Sequence, residues 1–447
     1  MSAWVSSRWV YFGTTWANLD LVSTAVPTGL CPLDLAPACT AVPTGLCPPA
    51  PRAGLHATPG AGTGGATRRV PAQPPPGRAE YAGGEARRLT VARVAGGSLH
   101  DDISAAGRPE LAAAPFFGID EPTRRRLASV ATLLWQDAPM VDSAETIPAS
   151  HLEAFAAAGL YGVFAPREDG GLGLGFPELC AVVEELAGCC LATTFLWVQH
   201  FRLLGALVDP ATPPAWRERL HDRVIAGSAK GGVVFTGLLP GPPRLTVSPE
   251  GGGWALRGEA PWVSGWGIVD MLFVAARGPG DTLVWLLLDA VPQPGLSVAP
   301  ARLSALNATR TVSLRFEGAW VGDDRLFSTE PYEAARQRSE RLRLNGSFAL
   351  GTARRCCSMI GPSPLDEELA SCRDRLDASD EASMPAARAA ACELAVRSAH
   401  ALAVDRGSRS ALAGDTAERL GREASLLLVF GSRPGIRDAL LHQLHAR

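Results

Sequence analysis

The chain is expected to fold as an α+β multidomain protein that is helical first, β in the middle and helical again. Three observations predict this. From about Glu121 the apolar residues recur with the helical period of about 3.6 residues. Between Gly231 and Phe327 the texture changes to short runs rich in β-branched and aromatic residues, broken by Gly, Pro and Asp. From Pro331 onward helical spacing returns. The length of 447 residues fits about three domains at roughly 150 residues each.

Residues 1 to 115 stand apart. They are rich in Pro, Gly, Ala and Thr, and "TAVPTGLCP" occurs at 24–32 and again at 40–48. Two copies do not make a solenoid, which needs about three. The stretch is expected to be a disordered low-complexity extension. An N-terminal helical domain is expected over 116–230. "TRRRLASVATLLWQDA" and "ASHLEAFAAAGLYG" read as helices, "PREDGGLGLGF" as a Gly-rich loop, and "FPELCAVVEELAGCCLATTFLWVQHFRLLGALV" as two apolar helices. A β domain is expected over 231–327, with strands in "GGVVFTG", "RLTVSPEGGGWALRGEAPWVSG", "DMLFVAAR", "TLVWLLLDA" and "TRTVSLRFEGAWV". A helical domain is expected over 328–447. Its last pair, "DTAERLGREASLLLVFGSRPGIRDALLHQL", is expected to set Arg419 and Arg422 on a solvated face.

Composition excludes several functions. Net charge is −3 and there is no basic block, which speaks against nucleic acid or an anionic membrane surface as partner. No apolar run reaches the roughly 20 residues of a membrane span, and no signal peptide is read at the N-terminus. The cysteines, including the adjacent pairs Cys189-Cys190 and Cys356-Cys357, have no zinc or disulfide spacing, so reduced thiols and a cytoplasmic location are expected, with no metal.

Two stretches carry chemistry. In "EAPWVSGWGIVDMLFVAAR" (259–277) a strand ends at Trp262-Val263-Ser264, a Gly-bounded turn follows, and a buried strand begins. It reads either as a hairpin with Trp in the core or as a wall for a flat aromatic cofactor, with Ser264 at its polar edge. In "SERLRLNGSFALGTARR" (339–355), Glu340, Leu344, Ser347 and Gly351 share one helical face. Small Ser347 and Gly351 are expected to leave room there for a substrate chain. Glutamate is seldom buried without a purpose or a partner.

Taken in order, "GLYGVFAPREDGGLGLGFPELCAVVEELA", "PWVSGWGIVDMLFVAAR", "NATRTVSLRFEGAWVGDDRLF" and "ERLGREASLLLVFGSRPGIR" resemble the acyl-CoA dehydrogenase family over about residues 120–447. The resemblance implies an N-terminal α-helical domain, a middle β-barrel-like domain and a C-terminal four-helix bundle. It also implies FAD bound between the middle domain and the bundles, and assembly into a dimer or tetramer. The implied activity is α,β-dehydrogenation of an acyl-CoA thioester, with an electron-transfer flavoprotein as a partner. Thr236, Trp262, Val263 and Ser264 are the implied cofactor-binding residues.

Such chemistry needs a carboxylate to take the proton beside the thioester carbonyl and preorganised donors to polarise that carbonyl. Many members carry the base in the last-helix region, where this chain has Gly431. A subset resembling isovaleryl- and long-chain enzymes places it directly before Arg-Leu in the first helix after the β domain. Glu340-Arg341-Leu342 stands there, which makes Glu340 the candidate base. A helix-start glutamate favoured by the macrodipole is the competing reading. The chain departs from the family in its flavin loops: "FTGLLPGPPRL" keeps only Thr236, "SMIGPSPLDEEL" replaces an Arg-x-Phe-Gly motif, and "VDRGSRSALAG" keeps only Gly407 of a paired-glycine motif. Two other readings stay open. One is a flavin-dependent monooxygenase of the same fold, which would need a base such as His; no His lies between His221 and His400. The other is a binding paralogue without catalysis.

Overall fold

The computed structural model describes residues 9–12, 15–18, 119–339, 343–431 and 433–445. The extension expected over 1–115 lies outside them apart from one antiparallel pair, β1 (Trp9–Phe12) and β2 (Thr15–Asn18). Glu340 also lies outside the described residues.

The helical domain begins with α1 (Glu121–Ser143). Asp120 caps it by accepting the Thr123 N–H at 2.8 Å. That bond and the ones to Thr123 and Arg167 side chains hold the Asp120 carboxyl down at about 2. A short helix, α2 (Ala149–Ala157), follows. The apolar stretch read as two helices is three: α3 (Phe176–Cys189), α4 (Leu191–Gln199) and α5 (Phe201–Val208). Cys190 takes an extended conformation and breaks the first junction, while His200 turns the second. By composition Leu191–Val208 is long and apolar enough to cross a bilayer, but 83% of it is buried inside the protein. Helix α6 (Pro214–Ile225) closes the domain.

The β domain is one sheet of eight strands: β3 (Gly231–Val234), β4 (Leu245–Pro249), β5 (Gly253–Val263), β6 (Met271–Gly278), β7 (Thr282–Asp289), β8 (Leu296–Pro300), β9 (Val312–Gly322) and β10 (Leu326–Pro331). Their order is β10-β7-β6-β4-β5-β9-β8, with β3 pairing parallel to β6. β8 and β10 are the strands the sequence pattern did not reveal. Both are edges, both end in Pro, and both are largely exposed, so neither carries the apolar alternation that marks a half-buried strand.

Helices α7 (Tyr332–Ser339), α8 (Arg343–Ile360), α9 (Pro364–Ala378), α10 (Met384–Arg406), α11 (Thr416–Val429) and α12 (Pro434–His445) complete the chain. Of these, α8 to α11 form the bundle, and α3 lies against α8. The α3–α8 crossing is set by glycines. A Cβ on Gly351 would come 2.2 Å from the Glu184 carbonyl, and one on Gly188 would come 2.6 Å from the Gly351 carbonyl. Gly351 therefore admits the α3 backbone and leaves no space for a substrate chain; Ser347, equally buried, accepts from Arg343 at 3.2 Å. That corrects the expectation drawn from their small size.

Buried ion pairs hold the same crossing. Glu184 and Glu185 of α3 meet Arg373 and Arg354 of the bundle, and Arg355 donates to the Gly188 carbonyl at 3.0 Å while covering the Trp135 ring at 4.4 Å. The expected solvated face of α11 is also corrected. Arg419 is buried and pairs with Glu423 at 2.8 Å, because that face packs into the bundle core. Arg422 is partly buried, and it bonds Asp142 of α1 and the Ser304 carbonyl at 3.0 Å.

Candidate active site

A cavity of about 1430 Å³ opens where the helical domain, the end of β5 and one end of the bundle meet. Thr236, Trp262, Val263 and Ser264, named from sequence, all line it. So does Gly431. Glu340 is outside the described residues, but Arg343, Leu344 and Phe348 of α8, which come later in the sequence, are on the cavity wall.

The end of β5 is shaped by a bulge. Ala260 pairs with Leu314 and Val263 with Val312, so β5 has one residue more than β9 between those points. Bulges re-aim side chains at strand ends. Here Trp262 takes a left-handed backbone (φ 64°), unusual for an L-residue, and its side chain stays 71% exposed at the cavity rim. Phe235 and Val429, also exposed, share that rim. Replacing Trp262 with Gly relieves roughly 1–2 kcal/mol of left-handed strain and adds about 0.5–1 kcal/mol of chain entropy. We expect Trp262→Gly to leave the melting temperature within a few degrees while weakening occupancy of the cavity. A large fall in melting temperature would instead make Trp262 a packing residue.

Ser264 heads a chain of hydroxyls. Its Oγ lies 2.7 Å from Thr311 Oγ1, which lies 2.9 Å from Thr309 Oγ1, and Thr309 donates to the Leu306 carbonyl at 2.8 Å. Each hydroxyl has one proton. Since Thr309 spends its own on Leu306, Thr311 donates to Thr309 and Ser264 donates to Thr311. The Ser264 oxygen then has only lone pairs to offer the cavity, so toward it Ser264 can act only as an acceptor. Thr236, at the turn after β3, makes no side-chain hydrogen bond among the described residues and is open to a ligand in the same cavity. Thr311 and, through it, Thr309 were missed as site residues because Ser264 lies 47 positions from Thr311 in sequence.

Two arginines complete the buried wall. Arg343 bonds Asp377 at 2.6 Å and Ser347 at 3.2 Å. Arg202 lies over the Trp285 ring at 4.1 Å. A charge inside the apolar run "HFRLLGALV" was the available signal for Arg202. Beside them, burial pushes the Cys180 thiol up to about 12, so it is inert as a nucleophile. No histidine lines the cavity among the described residues.

Residues 128–228 match the family model described as the N-terminal domain of acyl-CoA dehydrogenase. Benzylmalonyl-CoA dehydrogenase from Aromatoleum aromaticum is 24% identical over 233 residues, 48% of this chain and 60% of that protein. The oxygenase component of FADH(2)-dependent resorcinol hydroxylase from Rhizobium sp. is 29% identical over 143 residues, 31% of this chain and 32% of that one. The chain thus spans well under two thirds of the length of either relative. Among solved structures, a glutaryl-CoA dehydrogenase from Mycobacterium smegmatis in complex with FADH2 superposes with a TM-score of 0.60 at 16% identity, covering 73% of this chain and 95% of that one. Residues 128–228 thus match the N-terminal domain of the acyl-CoA dehydrogenase family, and the helix–sheet–bundle order is the fold of solved acyl-CoA dehydrogenases.

Proposed function

We propose that the protein is a FAD-dependent oxidoreductase that dehydrogenates the α,β-bond of an acyl-CoA thioester, with Glu340 as the base. The observation that carries this reading is the position of the β5 end. Trp262, Val263 and Ser264 share a cavity with the wall of α8 that begins three residues after Glu340. By sequence spacing Glu340 has the helical phase of Leu344 and Phe348, both cavity residues.

The residues fit a flavin on the chemistry of their donor set. Ser264 offers an acceptor to a ring N–H, Thr236 offers a hydroxyl, and the Trp262–Val263 segment walls the ring. FAD, when bound there, supplies the hydride acceptor. The chain's own part is to position and to exclude water. Phe195, Phe201 and Phe348 give the cavity apolar walls, and a dry wall raises the proton affinity of a carboxylate toward the neutral range that suits a base.

The purified protein is expected to bind FAD and to bleach anaerobically when an acyl-CoA thioester is added. Ser264→Ala, which removes the hydroxyl without adding bulk, is expected to weaken flavin retention by about tenfold, as loss of one hydrogen bond of roughly 1–1.5 kcal/mol would. If FAD shifts neither fluorescence nor melting temperature of the unmodified protein, the cofactor assignment fails. A monooxygenase reading draws on the 29% identity to the resorcinol hydroxylase component. Flavin that leaves acyl-CoA untouched but drives substrate-dependent oxygen uptake once reduced would favour it.

A further inference from the structure

Arg388 lies on α10 with 0% of its surface exposed. Its Nη1 meets the Cys392 sulfur at 3.5 Å, and its Nε and Nη2 have no hydrogen-bond partner among the described residues. Burial pushes the Cys392 thiol up, and the Arg388 charge beside it acts in the opposite direction. Three carboxylates near this part of the bundle are engaged by other arginines: Asp377 of α9 by Arg343, Glu184 by Arg373 of α9, and Glu423 of α11 by Arg419. Among the described residues no carboxylate pairs with Arg388, and its charge is uncompensated there.

The fold makes room for it. A Cβ on Gly346 would come 2.8 Å from Leu376 Cδ1 and 3.6 Å from Arg388 Cδ. Leu376 lines the cavity, as do Asn345 beside Gly346 and Met384 one turn before Arg388. The arginine thus packs one side-chain layer beneath the bundle end of the cavity. Burying an unmatched ion costs several kcal/mol, and an apolar residue of similar volume would fit with less penalty. Such breaches of local rules concentrate at functional sites.

We propose that Arg388 is an electrostatic positioning residue, whose uncompensated charge holds the bundle end of the cavity positive and selects a ligand that bears or develops negative charge there. The identity of that anion rests on the dehydrogenation reading. When the α-C–H bond breaks, the proton goes to the carboxylate base, and its electron pair moves through the thioester carbonyl to leave an enolate oxygen.

The test needs no ligand in its main arm. Asn345→Cys places a thiol on the cavity wall, and its alkylation by iodoacetamide is followed against pH, with the chain's own cysteines subtracted. Adding Arg388→Met or Arg388→Gln is expected to raise that thiol's pKa by about one unit, which is about tenfold less thiolate at neutral pH. Arg388→Met is expected to melt no lower than the parent. A thiol pKa that stays unchanged in both variants overturns the proposal; if the Met variant fails to fold, the Gln variant decides. Acetoacetyl-CoA, whose enolate is anionic, is expected to bind at least tenfold more weakly to Arg388→Gln, and equal binding also overturns the proposal. If the unmodified protein binds no acyl-CoA, the dehydrogenation reading falls while the thiol measurement still decides the role of Arg388.

Discussion

Glu340→Gln is expected to slow substrate-dependent bleaching of the flavin by about 10²- to 10⁴-fold, the usual cost of losing a positioned base. Gln keeps the size and polarity of Glu and removes only its basicity. Flavin retention and melting temperature are therefore expected to stay as they were. The sequence resemblance puts the family's commoner base position at Gly431, which lines the same cavity. Gly431 has a left-handed backbone (φ 59°), and a Cβ there would come 3.1 Å from Asn345 Nδ2. Gly431→Glu in the Glu340→Gln background thus carries a strain of roughly 1–2 kcal/mol, and partial recovery of bleaching is expected. Bleaching of Glu340→Gln at the unmodified rate across a panel of acyl-CoA thioesters would reduce Glu340 to a helix-start residue.

Acidification from pH 7 to below pH 4 is expected to remove about 3 kcal/mol of stability through His200 alone. His200 is buried between α4 and α5, where Nε2–H donates to the Val224 carbonyl at 3.1 Å and Nδ1 accepts the Gly231 N–H at 3.0 Å. The bond from Gly231 requires the neutral ring, because a protonated imidazole has no acceptor nitrogen, whereas the bond to Val224 survives protonation. Burial, with Lys230 acting the same way, lowers its pKa from 6.5 to about 4. The folded value lies below the unfolded one, so the unfolded chain binds the proton first. The contribution is complete above pH 6.5 and is lost as pH falls through about 4. His151, also pushed down by burial, acts in the same direction. His200→Asn keeps an acceptor for Gly231 and removes the titration. It should be less stable at pH 7 but should lose clearly less on acidification. An unchanged acid slope in that variant would assign the acid sensitivity elsewhere.

Much of the architecture was legible along the chain. Apolar residues at helical spacing marked the helices, and alternation with β-branched residues marked β5, β6, β7 and β9. Both signals report burial of one face, which is a property of the element itself. The strand that ends at Trp262-Val263-Ser264 was legible for the same reason: its buried run stops abruptly at a glycine-bounded turn.

What the tertiary structure alone decided depends on partners remote in sequence. The edge strands β8 and β10 bury too little to carry a pattern, and only their pairing to β9 and β7 defines them. Arg419 has the composition of a surface residue, but the packing of α11 into the bundle encloses it with Glu423. Gly351 looked like space for a ligand until α3 filled it. The direction of the Ser264 hydroxyl follows from Thr309, 45 residues on, and the isolation of Arg388 among the described residues follows from how α10 packs inside the bundle. Local sequence specifies which faces are apolar. Which polar groups meet, and which charge is left without a partner, is settled only when those faces close on one another.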